Sequence, residues 1–453
     1  MHYAGPILSV LVILLVARLL LQKHNTHAVL LFSGIGMLLA AHWLGLEGMQ
    51  LRQSTGNTYF DLFAALKEAF SKTNAGVGLM IMAIGGFVAY MDHIGASDVL
   101  VYWAMKPLKL FRKQPHIAAS LVIPIGQVLF VAIPSAAGLA LLLMASLYPI
   151  LTRLGLSKLS AVAVITASTV FGIGPACATT ASAIQIMKMD TILYFLEYQI
   201  PMVWPLTLCL MLSYYLVNRY YDRKQPAEEK PAEESEKKPS APGVYAVLPI
   251  LPIALLLVFS ELSTWIAPPI VLDTSTVMFL SFFVALLFEG LRHRNFRDLG
   301  NAFNVFWTGM ADIFKSVVTL IIAAEIFAQG LILLGFIDGL LELTQQIGLG
   351  KGLVGMMLTT MIFLASMLMG SGNAAFFAFG PLVPGLAGSI GMATTTLMLP
   401  MQLAASMGRA VSPVAGVLIA TAQIAGLNSI DIVKRNLIPM VTTLILLFLL
   451  HFI

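Results

Sequence analysis

The chain is 453 residues long, 58% hydrophobic and only 11% charged, with a net charge of +4. No soluble globular domain needs so much apolar surface, so the composition excludes one and calls for a polytopic membrane protein with spans of about 20 residues. Two cysteines, Cys177 and Cys209, with no CxxC spacing exclude a disulfide framework or a zinc site, and the absence of Walker and dinucleotide glycine patterns excludes an ATP-driven pump.

In chain order, spans are predicted at 6–22, 27–46 and 75–96. The first has no small-residue cleavage site after it and is expected to stay as a helix rather than act as a signal peptide. Residues 59–72 are too charged to span and are expected at the interface, as are 296–312. A hairpin around Pro134-Ser135-Ala136-Ala137-Gly138 follows, then a long broken span at 158–188 and a span at 192–219. "DRKQPAEEKPAEESEKKPSAP" (222–242) is charged and proline-rich and is predicted to be a hydrophilic linker. The second half has spans at 244–261, 273–292 and 314–336, a hairpin around Gly370-Ser371-Gly372-Asn373-Ala374, a broken span at 393–427 and a last span at 436–452.

The two halves repeat each other. Residues 167–202 set over 405–440 without a gap share nine of 36 positions, including Pro175/Pro413, Gln185/Gln423 and Ile200-Pro201-Met202/Ile438-Pro439-Met440. Upstream, Phe87, Gly95, Asp98 and Leu100 match Phe327, Gly335, Asp338 and Leu340. Lys106, Lys109, Arg112 and Lys113 crowd the loop at 97–115, whereas 337–350 has no such cluster. The positive-inside rule puts the first loop in the cytoplasm and the second outside, so the repeats are expected to be inverted. The linker, with six basic residues from Arg219 to Lys238, and the loop with Arg292, Arg294 and Arg297 are then cytoplasmic, and both chain ends lie outside.

The polar chemistry sits at four breaks in matched pairs: the two hairpin tips, and Gly172-Ile173-Gly174-Pro175 with Gly408-Arg409-Ala410-Val411-Ser412-Pro413. In lipid a break survives only inside protein or against water. Half-helix N-termini present free N–H groups and a positive dipole end, which suit the carboxylates of an anion. Paired discontinuous helices in inverted repeats are the architecture of secondary transporters; close packing of small residues is the alternative. Arg409, far inside an apolar stretch, can hold a carboxylate with its planar fork, or can pair with Glu325 or helix carbonyls. Glu325 and His93 are the candidates for carrying a coupling proton; a structural hydrogen bond for Glu325 and interfacial solvation for His93, as for its neighbour Asp92, are the alternatives. Thr179, Thr180 and Ser182 either line the site or bond back to their own helix. Gln185 and Gln423 are expected to bond between helices. A carrier of another anion, an amino acid or a peptide on the same scaffold, a channel and an intramembrane enzyme are the rivals; no Ser/His pair, HExxH or aspartate pair supports the enzyme.

"GGFVAYMDHIGASD", "SAAGLALLLMASLYP", "MGSGNAAFFAF", "RAVSPVAGV" and "VKRNLIPM" resemble, in order and from about residue 6 to 450, the DcuC/DcuD family of anaerobic C4-dicarboxylate carriers. The stretch "FGIGPACATTASA" departs from both branches, and Glu325 resembles the DcuD-like one. The resemblance implies a bacterial inner-membrane carrier for succinate, fumarate, malate or aspartate, working as an elevator and usually a homodimer. For such a carrier both proton coupling and exchange of one dicarboxylate for another stay open. It carries the family's tip motifs onto Ser135, Gly138, Ser371, Gly372 and Asn373, and its Arg-x-x-Ser-Pro onto Arg409, Ser412 and Pro413.

The expected fold is thus all-α, with about ten spanning helices, two of them broken, plus two re-entrant hairpins. Scaffold segments are expected at 1–96 and 244–336, interfacial arms at 97–115 and 337–349, transport segments at 116–219 and 350–453, and the linker at 220–243. The expected substrate contacts are Ser135, Ala136, Gly138, Thr179, Thr180, Ser371, Gly372, Asn373, Arg409 and Ser412. The expected partners are a small dicarboxylate, lipid and a second copy of the chain, with no nucleic acid. The coupling ion is expected to be a proton rather than Na⁺, with no cofactor and no metal.

Overall fold

The computed structural model describes residues 4–46, 51–111, 114–224, 238–260, 270–293, 296–347 and 350–453. Among the described residues every regular element is helical, and nine helices are long and apolar enough to cross a membrane. In hydrocarbon a helix satisfies its own backbone, which is why apolar runs of this length fold so. The nine differ from the ten expected spans. Pro115–Ala132 of the first hairpin and both arms of the second, Lys351–Met369 and Gly372–Ile390, have spanning length, whereas the spans expected at 6–22 and 244–261 fall on shorter helices and each broken span is divided into pieces of 16 residues or fewer.

Residues 59–72 lie in a helix of their own, Thr58–Thr73, which meets Leu79–His93 across a kink at Gly76 in the π turn Asn74–Gly78. Residues 296–312, expected to be too charged to span, instead run on through the π turn Phe314–Val318 into Thr319–Leu333. The charges of the first helix find partners: Glu68 accepts from the Arg52 amide, Asp61 from the Thr55 amide, and Lys72 pairs with Glu325. Likewise Asp222, assigned by composition to the linker, is the last residue of a helix and is buried. Residues 225–237 of the linker, and Arg112, Lys113 and Arg294 of the topology argument, lie outside the described residues.

Element bounds recur between the halves. The π turns and the helices after them, Leu79–His93 and Thr319–Leu333, stand 240 residues apart; Ala178–Met187 and Gly416–Ala425 stand 238 apart. The halves also interlock. Thr26–Trp43 lies so close to Thr319–Leu333 that a Cβ on Gly34 would meet the Phe327 nitrogen at 2.7 Å. Small residues permit such backbone approach, and in lipid the resulting van der Waals contact is what drives helices together. Phe282 stacks on Phe306 at 4.1 Å between centroids in a second core around Tyr90.

Candidate substrate site

The first hairpin joins Pro115–Ala132 to Ala136–Ser146, and the second joins Lys351–Met369 to a helix beginning at Gly372. Pro134 cannot donate to a helical ladder, and Gly370 takes the left-handed conformation at φ 70° that glycine adopts without cost. Each second arm is then capped alike. Ser135 Oγ accepts from the Gly138 amide at 3.1 Å, and Ser371 Oγ accepts from the Ala374 amide at 3.2 Å. A capping serine uses a lone pair and keeps its own hydrogen to donate. The first-turn amides of Ala136, Ala137, Gly372 and Asn373 precede the helical ladder and have no intrahelical acceptor. Two capped helix starts therefore present donors of the kind that bind carboxylates. Ser135→Ala and Ser371→Ala are each expected to cost about 1 kcal/mol of local stability from the lost cap. Each is also expected to raise the KM for an anionic substrate, which initial-rate uptake in proteoliposomes measures.

The helix breaks lie against these tips and against each other. The first is ten residues long, 168–177, and exceeds the four predicted; the second spans 410–415. A Cβ on Gly372 would lie 2.8 Å from Ala405 O and one on Gly370 2.9 Å from Val414 O, so the second tip sits on the segment that carries Arg409. Gly174, at φ 93°, faces Val131, three residues before the first tip begins. Arg409 is half-buried, and its Nη2 donates to Thr169 O in the first break at 2.5 Å. One of its five N–H groups is thus engaged there, and Glu325 is not its partner. The second tip, through Gly370 and Gly372, thus meets the segment of Arg409, which touches the first break at Thr169, and the arm leading to the first tip, which carries Ser135, Ala136 and Gly138, reaches the same break at Val131.

The other expected contacts are inward. Ser412 is fully buried and its Oγ accepts from the Val414 amide. Thr179 and Thr180 neither face an opening nor bond back to their own helix. Both accept from Gln402 Nε2, at 3.2 and 3.0 Å, alongside Gly172 O at 2.9 Å. Gln402 Oε1 accepts from Tyr194 OH at 2.9 Å and Gln199 Nε2 at 3.3 Å. Gln199 also donates to Thr180 Oγ1 and accepts from the Gly174 amide. Tyr194 and Gln199 begin and end a π turn; closing i→i+5 brings residues five apart to one face, toward Gln402. Sequence reasoning missed this group. Its one signal was a lone Gln in the apolar run "LMLPMQLAAS". The glutamines expected to bond between helices, Gln185 and Gln423, are exposed instead.

The coupling candidates stand elsewhere. Glu325 pairs with Lys72 Nζ at 2.9 Å and accepts from Thr73 Oγ1 at 3.2 Å. Both charges line a cavity of about 2390 Å³ with Arg52, Glu68, Gln329 and Asp338, whose lining includes neither tip nor Arg409. The Glu325 helix reaches the second hairpin through an edge-to-face contact of Phe327 on Phe379, with centroids 6.5 Å apart. His93 is exposed at the end of its helix.

Membrane-length helices with interrupted segments converging on an arginine define a multi-pass membrane transport protein, not an enzyme. Residues 5–453 match the C4-dicarboxylate anaerobic carrier family, DcuC, and the chain belongs to that family. It is 33% identical to the "Probable anaerobic C4-dicarboxylate transporter DcuC" of Vibrio cholerae, over 97% of this chain and 95% of the relative. It is 32% identical to the anaerobic C4-dicarboxylate transporter DcuC of Escherichia coli K12, over 97% and 94% of the two chains. Its fold is similar to that of the Alcanivorax borkumensis YdaH transporter (TM-score 0.65, 13% identity, 94% of this chain and 98% of that one). It is also similar to that of Neisseria gonorrhoeae MtrF (TM-score 0.64, 15% identity, 95% and 96%).

Proposed function

We propose that the protein is a secondary active carrier of C4-dicarboxylates such as succinate, fumarate, malate and aspartate across the bacterial inner membrane. The observation that carries this reading is the meeting of a serine-capped hairpin tip, Arg409 and a second helix break, with a matching capped tip beside them. The names of the family and of the relatives above supply the substrate class. In this reading one carboxylate rests on the Ser371–Asn373 tip and the Arg409 fork, and the other on the Ser135–Gly138 tip. The repeating element bounds and the loop charges support two inverted repeats with the linker in the cytoplasm. Hairpins and broken helices then move as one transport domain, elevator fashion, against a scaffold that pairs with a second copy of the chain.

Radiolabelled succinate counterflow in proteoliposomes tests the reading. Saturable exchange is the expected result. Liposomes that ignore both succinate and fumarate overturn the substrate class, and a flux that neither saturates nor exchanges indicates a channel.

Coupling to a proton through Glu325 is part of the same proposal. The carboxylate lines a large cavity and already has a cation partner, so gain or loss of its proton makes or breaks an ion pair between two helices. Glu325→Gln is expected to flatten the pH dependence of uptake while leaving succinate binding in place. An unchanged pH profile removes Glu325 from coupling.

A further inference from the structure

We infer that Gln402 is a positioning residue that holds the first helix break in register with Arg409; its role in transport rests on the function proposed above, but the tether itself does not. Gln402 and Arg409 lie on one helix, Thr394–Arg409. The carboxamide end of Gln402 is fully buried and spends all its capacity on the other half of the chain. Its two N–H groups serve Gly172 O, Thr179 Oγ1 and Thr180 Oγ1, and its oxygen takes donors from Tyr194 and Gln199. Gln199 closes the ring by accepting from the Gly174 amide. Turning either carboxamide over would set donor against donor, so each amide fixes the orientation of the other.

The ten-residue break has few hydrogen bonds of its own to hold it open. Buried polar groups left without partners cost about 1–3 kcal/mol each, so the break keeps this shape only while the amides stay in place. Arg409 then meets Thr169 O at the start of the same break. The break that the network holds touches the guanidinium at Thr169 and the arm of the first hairpin at Val131, so the network positions one relative to the other.

Cys177 reports on the break directly: it is buried, and its Sγ lies 3.3 Å from Thr179 Oγ1. With Cys209→Ser it becomes the single cysteine of the full-length chain. In that background we expect Gln402→Leu to raise the rate of Cys177 modification by N-ethylmaleimide at least tenfold. Thr180→Val, which is isosteric and removes an acceptor shared by both glutamines, is expected to raise it at least threefold; it decides the matter if Gln402→Leu fails to fold. Rates within twofold of the background overturn the tether. In liposomes the same variants are expected to raise the KM for succinate at least tenfold with a smaller change in maximal rate. Faster labelling with an unchanged KM, in a chain that carries succinate, overturns the role in positioning. If the unsubstituted chain carries no succinate, the proposed function fails and the labelling rates alone decide on the tether.

Discussion

Arg409→Ala is expected to abolish measurable succinate counterflow while the protein remains folded and monodisperse in detergent. Removing one partner of a desolvated, charge-assisted contact costs about 2–5 kcal/mol, or roughly 30- to several-thousand-fold in affinity. Little in the apo structure is lost, because among the described residues the guanidinium's hydrogen-bond partner is the Thr169 carbonyl. Arg409→Lys separates charge from shape: an ammonium keeps the positive charge but cannot make two parallel hydrogen bonds to one carboxylate. The lysine variant is expected to retain weak exchange with a strongly raised KM. If Arg409→Ala exchanges succinate at the wild-type rate, the arginine serves only to tie down the first break, and the anion site must be sought at the tips alone.

The second large effect is on stability. Asp222 and Arg435, with side chains 7% and 3% exposed, form a buried pair at the end of Thr191–Asp222. Asp222 accepts from Ser157 and Ser160 at 2.7 Å each and contacts His116 Nε2 at 3.2 Å. Arg435 donates to Ser160 and Asn218, and its guanidinium lies 4.5 Å from the centre of the Tyr221 ring. This cluster fastens the start of the first hairpin, the first broken helix and the last helix to one point. Asp222→Ala leaves a buried cation without its counter-charge and is expected to cost about 3–5 kcal/mol. The double substitution Asp222→Leu with Arg435→Met removes both charges and is expected to recover much of that loss. Thermal unfolding in detergent of the unsubstituted chain, Asp222→Leu, Arg435→Met and the double variant closes the cycle; equal destabilisation by Asp222→Leu and the double change would mean that packing, not charge, is what Asp222 supplies.

The features legible in the sequence are those governed by local physics. Composition and run length decide that the chain spans a membrane, because the hydrocarbon core has one thickness and demands internally bonded backbone. Proline, glycine and serine mark where helices must stop and restart: Ser135 and Ser371 cap the arms from within the predicted tips, and Asp190 and Asn428 cap equivalent helices 238 residues apart. Charge, by contrast, was read as a mark of interface or linker, yet Lys72 and Asp222 each find a partner far away in the chain, Glu325 and Arg435.

What only the tertiary structure decided is which polar side chains meet. Gln402 finds Thr180, 222 residues away in the chain, and Glu325 finds Lys72, 253 residues away, rather than Arg409. Glutamines 185 and 423, the pair marked by the repeat, face outward, while two unmarked ones saturate the first break. A glycine or a capping serine acts on its own backbone, so its neighbours in sequence announce it. A buried amide or charge acts through whatever group packing brings within about 3 Å, and no local spacing encodes that partner.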